Sequence, residues 1–421
     1  MASHLKFTQD VRVFTLNCWG IPIVYASLHR KERFQAIGEH LTKGNYDIVV
    51  LEEVWSHGDF KRLVEQTKDA LPYSYYFHSG FLGAGLCIFT RGEIIDTVIH
   101  RYSLNGYAHK VQHGDWFGGK CIGLCVIKLG KLRFNVYATH LHAQYSVEND
   151  EYKSHRVTQA FETAQFIRAT RQNADVTILA GDLNLEPTQV GYKVIRSHAQ
   201  LQDAWLASEN KMNNHDESGQ TCDTVHNTYS AGGTNPVRID HIMYSCNPSM
   251  NTDIGIRCMD VQLPLGIVPG HQISYSDHEA LLAVLRISND KTDNVGLQPE
   301  EGDAEERMSV LTEASRIIGE GIDNVQRSRY VFGAICVVSV CLLALTVNIE
   351  FPWGTQSVAV ALRICISAAV AYSFWMAVVE SRKEIVSMLA ATAGLRVCVN
   401  TLQRGSTAGR EERDARETTS G

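Results

Sequence analysis

Residues 330–347 run for eighteen positions without a charged side chain, and residues 357–379 run for twenty-three interrupted only by Arg363. A helix crosses the hydrocarbon core of a bilayer in about 20 apolar residues. One such run could be the core helix of a soluble domain. Two in series, joined by the short stretch 348–354, predict a membrane hairpin with spans at 330–348 and 357–379. Arg363 lies near one end of its run, where a long side chain can reach the interface. Arg327 and Arg329 precede the first run, Arg382 and Lys383 follow the second, and the connecting loop carries no Lys or Arg. The positive-inside rule then puts both ends, including a tail at 380–421, in the cytosol.

The rest of the chain is of a different kind. At 421 residues, 44% hydrophobic and 20% charged, it has ample material for a folded core. The first ten residues hold no apolar segment, so no secretory signal is expected. The eleven cysteines are odd in number and include no C-x-x-C pair. Neither a disulfide framework nor a zinc site fits that placement, and reduced thiols facing the cytosol agree with the charge pattern. From Ser288 the composition turns acidic and polar, predicting a linker with an amphipathic helix over 289–329. The catalytic domain is expected at 8–288.

Within 8–288 one unit recurs: an apolar strand, a carboxylate or amide at its tip, then a helix or loop. Residues 11–17 alternate like a strand and deliver Asn17. Residues 46–51 end in Glu52-Glu53, and a hairpin over 121–139 ends in Thr139-His140. The apolar run 176–179 leads into Gly181-Asp182-Leu183-Asn184, residues 237–244 contain Asp240, and Asp277-His278 precedes a last strand. Helices are predicted near 27–41, 60–70, 150–171 and 189–198. This alternation implies an α/β layered domain with its site at one end of the sheets.

The tips collect Asn17, Glu53, His140, Asp182, Asn184, Asp240, Asp277 and His278. Each has a bland reading alone, as a turn residue, a cap, a surface charge or a strand-end histidine. Together, hard oxygen donors suit Mg²⁺, with Mn²⁺ as the alternative, better than zinc. Two histidines beside such an ion are the parts of a phosphodiesterase site, where one group activates water and another serves the departing oxygen.

In order and spacing, Asn17, Leu51-Glu52-Glu53-Val54-Trp55, Gly181-Asp182-Leu183-Asn184, Arg238-Ile239-Asp240 and Ser276-Asp277-His278 resemble the exonuclease–endonuclease–phosphatase superfamily, the DNase I-like fold. Glu52 departs from the pattern, standing where many members have Gln. Further stretches resemble the neutral sphingomyelinases of that superfamily: residues 77–86, 104–107, 114–120 and 139–145, with the C-terminal hairpin.

The resemblance implies a DNase I-like two-layer β-sandwich flanked by helices, and Mg²⁺-dependent hydrolysis of sphingomyelin to ceramide and phosphocholine. It makes Glu53 the principal metal ligand, supported by Asn17. Asp182 and Asn184 would position water and phosphate. His278 would be the general base, oriented by Asp240 or Asp277, and His140 would stabilise the phosphate.

A formal charge of −7 and the hairpin argue against a nucleic-acid substrate. No dense Lys/Arg cluster near the motifs suits an inositol-phosphate phosphatase. Lysophosphocholine lipids share the headgroup and stay open as substrates. Sphingomyelin in an internal membrane, such as the endoplasmic reticulum, is the expected partner, and the hairpin offers a route to self-association.

Overall fold

Two six-stranded mixed sheets form the catalytic part of the computed structural model, which describes residues 7–23, 25–210, 218–230, 235–246, 254–289, 303–347, 349 and 351–419. Most of the predicted acidic linker, parts of the polar loop before Asp240, and two residues of the inter-span loop lie outside these.

In chain order the strands are β1 (Thr8–Asn17), β2 (Ile48–Glu52), β3 (Tyr73–Tyr76), β4 (Cys87–Thr90), β5 (Glu93–Arg101), β6 (Cys121–Leu129), β7 (Leu132–His140), β8 (Val176–Asp182), β9 (Gln202–Asp203), β10 (Asp240–Cys246), β11 (Gly255–Gln262) and β12 (Leu281–Ser288). The helices are α1 (Arg30–Lys43), α2 (His57–Thr67), α3 (Asp115–Gly118), α4 (Lys153–Thr170), α5 (Val190–His198), α6 (Ala204–Ala207), α7 (Asp303–Val347), α8 (Gln356–Phe374) and α9 (Ser381–Thr419).

One sheet runs β11-β12-β1-β2-β4-β3 and the other β5-β6-β7-β8-β10-β9. At the centre of each lies one parallel pair, β1 with β2 and β7 with β8. Val11 and Val13 of β1, Ile48 and Val50 of β2, Val136 of β7, Ile178 of β8 and Leu285 of β12 share one core cluster. Phe14 and Leu16 of β1 instead pack with Phe34 and Ile37 of α1 and Leu63 of α2. Central strands buried on both faces read as continuous apolar runs, which is why they are visible in the sequence.

Three strands have no counterpart among the predicted elements: the two-residue β9, and β5 and β11, which each contain a bulge. The register of β5 on β6 shifts between Ile94 and Asp96, and that of β11 on β12 between Cys258 and Asp260. One extra residue breaks the two-residue period that marks a half-exposed strand. The strand expected at 237–244 instead starts at Asp240 and runs to Cys246. Arg238 and Ile239 belong to its approach.

The chain divides into two compact units: Met1–Tyr152 with Gln159–Val310, and Lys153–Thr158 with Leu311–Gly421. The predicted amphipathic helix and first span form one continuous helix, α7, which belongs to the second unit from Leu311 onward. The other helical stretch holds α8, a π-helical turn over Trp375–Glu380, and α9, which continues well beyond residue 379. Two helices here are long and apolar enough to cross a membrane. Arg363 donates to the carbonyl of Thr346 and lies 5.7 Å from the Phe351 ring centre. No disulfide forms among the described residues.

Candidate active site

Register brings the strand tips together. Asp182 at the end of β8 stands opposite His140 of β7 on one side and Asp240 of β10 on the other. In the other sheet Asn17 of β1 is level with Glu52 of β2. The ends of both parallel pairs thus present one carboxylate-rich cluster. Glu53 and Asn184, each just past a strand end, have φ of +56° and +48°. Non-glycine residues in this region are strained, and such strain concentrates at functional sites.

Asn17 Nδ2 donates to Asp182 Oδ2 at 3.0 Å and reaches Glu53 Oε1 at 3.5 Å. Asp182 Oδ1 accepts from the Asn184 backbone N–H at 2.8 Å, while Asn184 Nδ2 donates to the Leu141 carbonyl. His140 Nε2 lies 3.3 Å from Asp182 Oδ2. His278 Nδ1 lies 2.9 Å from Asp240 Oδ2, so Asp240 rather than Asp277 orients this imidazole. Asp277 accepts from its neighbour Ser276 instead. All eight tip residues named from sequence fall in this region, with Asn184 and Asp277 turned toward local partners.

The electrostatics are those of crowded negative charge. Burial, then Asp277, pushes the Glu53 carboxyl up to about 7. Burial and Asp240 push Asp182 up to about 6. Burial raises Asp277 as well. Burial alone would lower His278, but Asp240 and the nearby Cys222 hold its imidazole well above the ordinary range. His140 goes the other way: burial, then the Lys120 charge, keeps it neutral, well below the ordinary value.

Two further charged residues of the site, Glu52 and Lys120, are not among the strand-tip set that the sequence marks out. Glu52 is fully buried, accepts from Thr15 Oγ1 at 2.9 Å, and sits behind Gly181, where an added Cβ would come within 3.0 Å of its Oε1. Burial, then Asp240, raises its carboxyl well above the usual range. A protonated Glu has the shape and donor–acceptor pattern of the Gln expected there. Lys120, 2% exposed, pairs with Asp115 at 3.0 Å and donates to the Leu141 carbonyl at 2.7 Å. Its only signal in the sequence is a lone cation inside the Gly- and aromatic-rich stretch 114–120. His142 belongs to a different cluster, stacked on Tyr152 at 4.0 Å.

The donor set fits a divalent cation. Ligand atoms of Asp182, Asp240 and His278 lie within 4.8 Å of one another, beside Glu53 and Asn17. Asp240 Oδ1 and Glu52 Oε2 are buried without a hydrogen-bond partner among the described residues. Buried carboxylates this close favour a compensating positive charge.

A metal-suited acid cluster flanked by two histidines, at the tips of a two-sheet sandwich, has the parts that phosphodiester hydrolysis needs. Residues 14–278 match the Endonuclease/Exonuclease/phosphatase family. Sphingomyelin phosphodiesterase 2 of Rattus norvegicus is 38% identical over 344 residues, 81% of this chain and 80% of the rat protein. The Homo sapiens protein of the same name is 36% identical over 351 residues, 80% of this chain and 81% of its own length. A Staphylococcus aureus beta toxin with bound magnesium ions superposes with a TM-score of 0.51 at 17% identity, covering 65% of this chain and 99% of the toxin. That last likeness speaks to the fold. The chain belongs to the Endonuclease/Exonuclease/phosphatase family and, within it, to the neutral sphingomyelinases of the sphingomyelin phosphodiesterase 2 type.

Proposed function

We propose that this chain hydrolyses sphingomyelin in phospholipase C fashion, yielding ceramide and phosphocholine, with Mg²⁺ as cofactor and Mn²⁺ as a substitute. The reading rests above all on the Asp240–His278 pair standing beside Asp182, Asn17 and Glu53. Glu53 and Asn17, with Asp182 adjoining, would hold the ion, which supplies charge neutralisation for the phosphate. In its neutral form His278, held through Nδ1 by Asp240, offers Nε2 to a water. It takes the water proton as the oxygen attacks phosphorus and the bond to the ceramide oxygen breaks. Neutral His140 offers a hydrogen bond to the phosphate or to the leaving oxygen, which takes a proton from solvent as ceramide departs. Asp182 and Asn184 position the water.

The catalytic domain is assigned to residues 8–288, linked through 289–329 to spans at 330–348 and 357–379. The flanking Arg327, Arg329, Arg382 and Lys383 support a cytosolic catalytic face and tail, on an internal membrane such as the endoplasmic reticulum.

The test is phosphocholine release by the purified full chain from sphingomyelin vesicles, run beside lysophosphocholine lipids of the same headgroup. Mg²⁺-dependent release that EDTA abolishes is expected. Faster cleavage of the lyso lipid would move the substrate assignment, and activity only on nucleic acid would overturn it.

A further inference from the structure

Three loops meet beside Glu53 with apolar side chains that the chemistry above does not use. Phe81 is 88% exposed, Leu82 60%, Val147 74% and Tyr145 46%. Trp116 and Phe117 are half-buried, with ring centres 5.0 Å apart. Single exposed apolar residues are common, but contiguous exposed patches mark interaction sites.

These loops are built into one platform. The backbone N–H groups of Phe81 and Leu82 donate to the Phe117 carbonyl at 3.2 and 3.1 Å. Gly80 and Gly119 have φ of +58° and +60°. A Cβ on Gly80 would lie 2.4 Å from the Gly118 oxygen, and one on Gly119 would lie 2.3 Å from the Gly80 Cα, so the two backbones touch. Tyr145 donates to Asp115 at 2.6 Å and stacks on His113 at 3.9 Å. On its inner side the platform abuts the site: Gly118 packs on Trp55, and Gly85 on the backbone of Glu53.

Two features point to lipid as the occupant. The chain carries two helices long and apolar enough to cross a membrane. The patch pairs Phe, Leu and Val tips with Trp and Tyr, aromatics that favour the headgroup level of a bilayer. We propose that Phe81, Leu82 and Val147 enter the lipid interface, with Trp116 and Tyr145 at headgroup depth, and hold the Glu53 end of the site against the membrane. A lipid phosphate then reaches the carboxylate cluster while its chains stay in the bilayer. This rests on the lipid-substrate reading and deepens it.

The test uses the full chain in proteoliposomes, given either sphingomyelin within the bilayer or a short-chain phosphocholine lipid dissolved as monomer. If the wild type cleaves neither, the lipid-substrate reading itself fails. If it cleaves both, the double variant Phe81→Ser, Leu82→Ser is expected to lose at least tenfold on bilayer substrate and less than twofold on the monomer. Equal losses on both, or no loss on the bilayer, overturn the docking role. A second measurement needs no turnover: Phe81→Trp should add fluorescence that chain-brominated lipids quench relative to wild type. Unquenched added emission, as for a patch that binds a protein or a second copy, overturns the proposal equally.

Discussion

Ser276 donates its hydroxyl to the main-chain carbonyl of Asn17 at 2.6 Å, tying the end of β1 to the turn that carries Asp277 and His278. Arg33 of α1 clamps the same junction from behind. Its guanidinium donates to the carbonyls of Cys18, Trp19, Tyr275 and Leu28 and to Ser27 Oγ, and lies 4.8 Å from the Trp19 ring centre. A fully buried cation satisfied by carbonyls on both sides of the site fixes the separation of Asn17 and His278.

Replacing Arg33 with Met should therefore act on catalysis as well as stability. Losing several charge-assisted hydrogen bonds should cost at least about 3 kcal/mol. The displaced tips should lower kcat by about 10–10²-fold, the scale of an ångström's misplacement. Arg33→Lys should recover little, because one ammonium cannot reproduce the five-donor fork. Thermal unfolding, kcat and the Mg²⁺ activation curve should be measured together. A lowered Tm with unchanged kcat and Mg²⁺ response would make Arg33 purely structural.

Much of this junction was legible in sequence, and the remainder was hidden for identifiable reasons. The apolar runs ending in Asn17, Glu53, His140 and Asp182 stand out because their strands are buried on both faces. β5 and β11 were lost because a bulge in each breaks the period. Arg33 looks like one more surface cation of the helix pattern in α1, since its partners are main-chain carbonyls that leave no mark in composition. Glu52 stands out only as a departure from a family pattern, and its carboxyl is raised by burial and then by Asp240, which is 188 positions away in the chain.

Glu53→Gln should keep the shape of the strand tip and remove a charged oxygen. Even outer-shell changes weaken metal binding by about 10–100-fold, so the Mg²⁺ concentration for half-activation should rise by at least that much, with Tm nearly unchanged. Activation by Mg²⁺ at the wild-type concentration would remove Glu53 from the ligand set.

The raised carboxyls and imidazole make cation binding a proton-releasing event. Glu53 near 7, Asp182 near 6 and His278 well above its ordinary value each hold protons that a divalent charge among them would expel. Titrating Mg²⁺ into the protein near pH 7 should release protons, seen as a binding enthalpy that varies with the ionisation enthalpy of the buffer. His278→Ala should reduce the number released and lower kcat by about 10²–10⁴-fold, as for a general base. A buffer-independent enthalpy in the wild type would show that these groups are already deprotonated. A variant that kept its rate and the acidic limb of its pH profile would shift the base elsewhere, with Asp182 the first candidate.

Glu52 gives the sharpest test of the electrostatics, because its raised carboxyl predicts opposite behaviour from that of a surface carboxylate. Its carboxyl ordinarily titrates at 4.5 and is raised well above that value in the folded protein. Between the two values the folded state binds the extra proton. The stability linked to it is complete below 4.5 and is lost as pH rises through the folded value, at about 1.4 kcal/mol per pH unit of the gap. Gln mimics the protonated form without that penalty and can still accept from Thr15. Glu52→Gln should therefore keep near-normal activity and gain more in Tm over wild type at pH 8 than at pH 5. Equal gains at both pH values would mean that Glu52 is ionised in the folded protein, and a large loss of activity would mean that its charge serves the cation site.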